Sequence, residues 1–293
     1  MLQKIKQFGC YVIIIVLLPY VVTVFMNGSS ISTSSRVDET CVKVKNGDEE
    51  IEMSIEEYCI GKMAKEIPAA YEPEALKAQA VLVRTAVYKN IKETGSNTVL
   101  EDEFWTTKEM KKQWGAAKYS QNYNHIKDAW QDTEGQVLMY GENLANTPFC
   151  RLTNGSTRDG KEVLGSEDYP YLKIRECPLD IEAKEQIRTI TIDDMDAEVT
   201  TLDTAGYVTG VRVGEENVSG EEFRNTYGLA SSCFTLQKYD GKLRITTRGV
   251  GHGLGMSQYT ANEMAKKESK YDEILQYFFE GTELKEVAEI LLD

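Results

Sequence analysis

The stretch from Ser54 to Ile91 constrains the fold of this chain more than any other, because it dictates a helix, a stop and a second helix. Ser54 and Glu57 fit the S-x-x-E capping box, so a first helix should start there. That helix must fail near Ile67, since the residue ahead of Pro68 is pushed out of the α region. Pro73 suits the first turn of the next helix. Leu76, Ala80, Val83, Val87 and Ile91 step by four, three, four and four, which makes one buried helical face. Lys77 and Arg84, a heptad apart, point elsewhere. The stop leaves Glu66 at a helix C-terminus, where the negative end of the dipole favours its protonated form. Two readings of Glu66 are open: a solvated last-turn residue, or a proton donor.

A second dense segment runs from Arg248 to Tyr259, Arg-Gly-Val-Gly-His-Gly-Leu-Gly-Met-Ser-Gln-Tyr. Read as an extended strand, its alternating glycines strip one face, so another backbone or a ligand can approach closely. Val250, His252, Leu254 and Met256 would occupy the opposite face. A phosphate loop is a poor alternative, because no Gly-Lys-Ser/Thr follows. His252 is one of two histidines in the chain, and its place among four glycines suits a packing residue and a functional one equally.

These segments carry a resemblance. Glu66 to Arg84 resembles the E-M-P-A-x-F-x-x-E-A-L-K-A-Q-A-V-A-A-R signature of the SpoIID/LytB domain family, the stage II sporulation protein D group. The glycine segment resembles the family's G-H-G-V-G-M-S-Q-Y-G-A signature. Phe149 to Thr157, followed by Pro170-Tyr171-Leu172, is similar to its F-H-S-T-S-G-G-x-T loop, and Glu222-Phe223-Arg224 with Leu229 to a fourth segment. The matches stand in the family's order from about residue 50 to about residue 283.

The resemblance implies a peptidoglycan lytic transglycosylase that cuts between N-acetylmuramic acid and N-acetylglucosamine and leaves 1,6-anhydro ends, with Glu66 as its single acid/base. A useful acid near neutral pH needs burial or nearby negative charge, and Arg84, if close, would push the other way. Arg84 and Lys77 are then candidates to orient sugar groups, with Gln79 donating hydrogen bonds, although Lys77 and Gln79 also suit exposed helix positions. Gln258 and Tyr259 would line the same groove. Ser257 suits a helix cap running through Ala261 and Met264 as well as a substrate contact. Thr153, Asn154 and Thr157 offer polar groups on a turn that is equally a plain loop. The resemblance also implies a membrane-anchored amidase and other engulfment proteins as partners in an endospore former, and action on peptide-stripped glycan. A non-catalytic wall-binding protein that stimulates an amidase is the competing role.

The chain departs from the family pattern at Cys150, Arg151, Thr153 and Thr260, which leaves Glu66 intact but puts the loop's contribution in doubt. Some relatives carry a zinc site after the long helix; between Gly95 and Gly115 this chain has neither Cys nor His, so no metal or other cofactor is expected. Of six cysteines, Cys10 lies in the apolar amino terminus. The remaining odd number closes no disulfide framework. Cys150 with Cys177 is the pair to test, since a bridge would pin the third motif; unpaired thiols are the alternative. Nothing around Cys59 suggests an activated thiolate paired with His252.

Lys4 and Lys6 precede an uncharged apolar run from Phe8 to Met26, about the length of a bilayer crossing. The expectation is a cytoplasmic start and single-pass anchor over 1–26, a Ser/Thr-rich linker over 27–45, and an extracytoplasmic domain over 46–293. In a sporulating mother cell, that domain would face the space between the engulfing membranes. With 47 acidic against 33 basic side chains, net −14, nucleic-acid binding is disfavoured. Glycan recognition would rest on stacking and hydrogen bonds. Alternation over Arg188–Ile192, Gly206–Gly214 and Leu243–Thr247, a Ser219/Glu222 cap and an amphipathic helix over Tyr271–Phe279 give an α+β reading. That reading is one mixed α/β domain with a deep groove, or two lobes sharing one.

Overall fold

A computed structural model describes residues 41–95 and 98–290. Strands β1 (Cys41–Asn46) and β2 (Glu49–Ser54) form a hairpin that leads directly into helix α1 (Ile55–Glu66), and α2 (Pro73–Thr94) follows. Then come β3 (Val99–Leu100), α3 (Thr107–Trp114), α4 (Ala116–Asp132), β4 (Gln136–Tyr140), β5 (Asn143–Leu144) and β6 (Phe149–Cys150). A short α5 (Gly160–Leu164) and a 3-10 turn (Pro178–Glu182) precede β7 (Ile187–Asp193), β8 (Ala197–Leu202), β9 (Val208–Val213) and β10 (Glu216–Ser219). The chain continues through α6 (Gly220–Thr226), β11 (Phe234–Tyr239), β12 (Lys242–Arg248), β13 (Met256–Ser257), α7 (Gln258–Lys266), α8 (Tyr271–Phe278), β14 (Glu283–Glu286) and α9 (Val287–Ile290).

The mixed α/β class stands. The proposed bilayer span, residues 8–26, lies outside the described residues, and no helix among those described is long and apolar enough to cross a membrane. Residues 41–45 of the stretch expected to be linker lie in β1, which pairs with β2 from Cys41 opposite Ser54.

Helix α2 is the axis of the larger part. Its expected face, Leu76, Ala80, Val83 and Val87, packs with α1, with Ile126 and Trp130 of α4, and with β4. The opposite face is buried too: Ala75, Ala78, Val81 and Leu82 meet Met256, Ala261, Ile274, Leu275 and Phe278. A helix covered on both sides can hold polar residues only if the fold gives them partners. A third cluster, Val208, Val211, Phe223, Phe234, Leu243 and Ile245, holds the β8–β9–β10 sheet, α6 and the β7–β12–β11 sheet together.

The glycine segment is not a strand. After β12 ends at Arg248, Gly249, Gly251, Gly253 and Gly255 all take positive φ, so residues 249–255 form a loop that folds back and forth. The close approach expected of these glycines is real, but protein fills it. A Cβ on Gly255 would lie 1.9 Å from the Pro148 carbonyl oxygen, and one on Gly253 would lie 2.3 Å from the Tyr207 ring.

Candidate active site

Glu66 is the last helical residue of α1. Ile67 is extended (φ −123°, ψ 144°) and its N–H still reaches the Met63 carbonyl, after which Pro68 bars another turn. The carboxyl sits against its own helix: Lys62 Nζ is 3.3 Å from Oε1, while Oε2 is sealed from solvent with no hydrogen-bond partner among the described residues. Burial pushes the Glu66 carboxyl above its ordinary value; Lys62 opposes, the negative charge of Asp102 adds to the rise, and Lys65 opposes. The cation that matters is therefore Lys62, one helical turn back, and not Arg84.

Arg84 is buried inside the protein. Its guanidinium stacks 3.7 Å from the Trp130 ring centroid and donates to the carbonyls of Trp130 (2.9 Å), Thr133 (2.6 Å) and Gln136 (3.2 Å). It caps the C-terminal end of α4 and holds the start of β4, so the structure places this expected sugar-orienting residue inside the protein, with both Nη groups on backbone carbonyls. Lys77 pairs with Glu74 at 3.1 Å and Asp132 at 3.0 Å. Gln79 and Gln258 are both buried and meet each other, Gln258 Nε2 donating to Gln79 Oε1 at 3.2 Å. They join the two signature segments within the protein and do not line a groove.

The third motif and the glycine loop close around a carboxylate that the sequence did not single out. Asp180 is fully buried and accepts from the Thr153 N–H and Oγ1 (both 2.7 Å), from Ser257 Oγ (2.8 Å) and from Thr260 Oγ1 (2.7 Å). Burial raises its carboxyl, against the pull of those donors. Thr153 and Ser257 are thus tied inward, and Ser257 also caps α7 by accepting the Thr260 N–H. His252 is a packing residue in the same sense. Its Nδ1 accepts the Leu254 N–H at 3.1 Å, the ring bonds the Phe149 backbone, and burial lowers its basicity. Beside it, buried Arg158 pairs with Asp203 and Glu221 and donates to the His252 carbonyl. Cys150 and Cys177 are both buried free thiols.

Tyr259 is partly open, as are Lys77 and His252 among the expected contacts. The turn Pro68–Glu72 closes through the Tyr71 N–H on the Pro68 carbonyl, and the Glu72 N–H donates to Asn262 of α7. Over Tyr71 lies the Arg151 guanidinium, 5.2 Å from the ring centroid, and the Arg151 carbonyl accepts the Tyr259 N–H. Tyr71, Arg151, Tyr259 and Asn262 therefore gather where the turn after Glu66 meets α7. One cavity, of about 860 Å³, is lined by Tyr140, Tyr169 and Tyr171. Glu66 does not line this cavity. Lys62 was legible in principle, being four residues before Glu66 on one helix. Asp102 and Asp180 come from distant loops and left no local signal.

A mixed α/β protein with a helix-end acid, and two signature segments joined through its interior, is the class that fold and site define. The family described as SpoIID, stage II sporulation protein, matches residues 45–140. Stage II sporulation protein D of Bacillus subtilis (strain 168) is 31% identical over 262 residues, covering 81% of this chain and 76% of that protein. Its counterpart in Bacillus amyloliquefaciens is 29% identical over the same shares. The amidase enhancer of Bacillus subtilis (strain 168) is 25% identical, over 76% of this chain and 40% of that protein. The chain belongs to the SpoIID family, a family of sporulation proteins.

Proposed function

We infer that the protein cleaves peptidoglycan glycan strands as a lytic transglycosylase, with Glu66 as its one acid/base. The observation that carries this is the state of the carboxyl: burial raises it, and Oε2 has no hydrogen-bond partner among the described residues. A proton on Oε2 has no acceptor among the described residues, so a glycosidic oxygen brought to it is the acceptor. Proton transfer from Oε2 to that oxygen breaks the bond at the muramic acid C1. The resulting carboxylate takes the proton from the muramic 6-hydroxyl as that oxygen bonds to C1, which returns Glu66 to its acid form. A 1,6-anhydro ring results, no water is consumed, and a second catalytic carboxylate of the hydrolase kind is not needed.

The Glu66 side chain is 21% exposed, so a sugar approaches it from that open side. Tyr71, Arg151 and Tyr259 are the groups such a strand would meet first. Peptide-stripped glycan as substrate, engulfment as the setting, and anchorage through residues 8–26 with the body outside the cytoplasm complete the reading. An amidase that strips stem peptides is the natural partner.

The second reading, a non-catalytic wall-binding protein that stimulates an amidase, draws on the likeness to the amidase enhancer. Incubating wild-type and Glu66→Gln protein with glycan strands stripped of stem peptides separates the two. Wild type releases anhydro-muramyl ends and the variant does not. If wild type releases none, or the variant as many, cleavage is wrong and the second reading takes its place.

A further inference from the structure

Glu66 shares its helix with two lysines, at i−4 and i−1, and each is drawn away by a carboxylate from one crossing segment. Residues Glu101 to Trp105 run across α1 where Gly61 leaves room: a Cβ there would lie 2.7 Å from the Trp105 carbonyl oxygen. The Trp105 N–H bonds the Gly61 carbonyl at 3.0 Å, Phe104 is buried against the Tyr58 ring, and the Tyr58 hydroxyl donates to the Asp102 carbonyl. The strap is thus fixed at Asp102 and in the residues just after it. From it, Asp102 Oδ2 takes Lys62 Nζ at 2.8 Å, closer than the 3.3 Å between Lys62 and Glu66, and Glu103 takes Lys65.

We propose that Asp102 is a positioning residue for Glu66: it holds Lys62 away from full pairing, so that Glu66 meets the glycan as an acid rather than as half of an ion pair. This rests on the cleavage reading above. The titratable groups that act on Glu66 most are Lys62 and Lys65 from its own helix and Asp102 from the strap, with Tyr58 also coupled to it. The signs are consistent. A carboxylate near Glu66 disfavours its ionised form, and a lysine favours it. Removing Asp102 deletes the first influence and leaves Lys62 with Glu66 as its remaining carboxylate, so both changes move Glu66 toward ionisation. A general acid then loses about tenfold in rate for each unit its midpoint falls below the working pH.

The test is a titration of the Glu66 side chain by carbon NMR on full-length protein labelled at glutamate, assigned by the signal lost in Glu66→Gln. Asp102→Asn is expected to move the Glu66 midpoint down, Lys62→Met to move it up, and Asp102→Glu to leave it near wild type. In the Lys62→Met background, Asp102→Asn should have a smaller effect, since its route through Lys62 is gone. The acid limb of glycan cleavage should move with the titration. An unmoved midpoint in Asp102→Asn, or an equal shift with and without Lys62, overturns the proposal. The titration needs no turnover, so shifts as expected in a protein that cleaves nothing would keep the positioning role and remove the cleavage reading.

Discussion

Replacing Arg84 with alanine should unfold the protein more readily without touching substrate recognition. The guanidinium makes three backbone hydrogen bonds, to Trp130, Thr133 and Gln136, and lies flat on the Trp130 ring. Hydrogen bonds from a charged donor are each worth roughly 1.5–3 kcal/mol, and the cation also faces the negative end of α4, worth up to ~2 kcal/mol. Relaxation and water entry recover part of this, so a net loss of about 3–5 kcal/mol is the expected scale. For a body of this size that lowers Tm by about 10 °C. Lysine should recover little, because it has one ammonium in place of a planar fork and does not stack in the same way. Urea unfolding followed by tryptophan fluorescence measures the loss, and glycan cleavage well below the lowered Tm measures the rest. A variant within about 1 kcal/mol of wild type but with a raised KM would refute the reasoning and return Arg84 to the substrate.

Other outcomes follow from the same geometry. Gly255→Ala should fail to fold or lose more than about 3 kcal/mol, since a positive-φ site and a Cβ 1.9 Å from the Pro148 carbonyl oxygen leave no relaxed alternative; soluble yield and Tm report it. Asp180→Asn puts an NH2 group against donors from Thr153, Ser257 and Thr260, and should cost roughly 2–4 kcal/mol in urea unfolding with Glu66 chemistry retained. His252 is held neutral, its folded value below the unfolded value of about 6.5. Its contribution to stability is present above that value and is lost as pH falls through the folded one. His252→Asn should therefore flatten the fall of Tm between about pH 7 and pH 5.

Local chemistry was legible where one element decides it. Ser54 and Ser219 cap their helices by accepting the Glu57 and Glu222 N–H groups, the serine half of each expected box, and the stop at Pro68, the Pro73 start and the Ser257 cap of α7 stand. Each depends on neighbours within four residues. The glycine loop was misread because alternating Gly satisfies a stripped strand and a run of positive-φ turns equally well. Only the Pro148, Cys150 and Tyr207 contacts decide between them. Arg84, Gln79, Gln258, Thr153 and Ser257 read as site residues because polar groups on a signature segment invite that reading. Their partners, Trp130, Asp180 and each other, lie far away in the chain; burial of both faces of α2 turns Arg84 and Gln79 inward, and buried Asp180 does so for Thr153 and Ser257. Asp102 was invisible for the same reason.

The central claim is that Glu66 drives a glycan cut in which no water takes part. Digesting stripped strands in water enriched in oxygen-18 and weighing the new reducing-side ends by mass spectrometry tests it most directly. The account predicts unlabelled 1,6-anhydro ends from wild type and intact strands from Glu66→Gln. Labelled, hydrated ends would contradict it, and so would unlabelled anhydro ends produced equally by the variant.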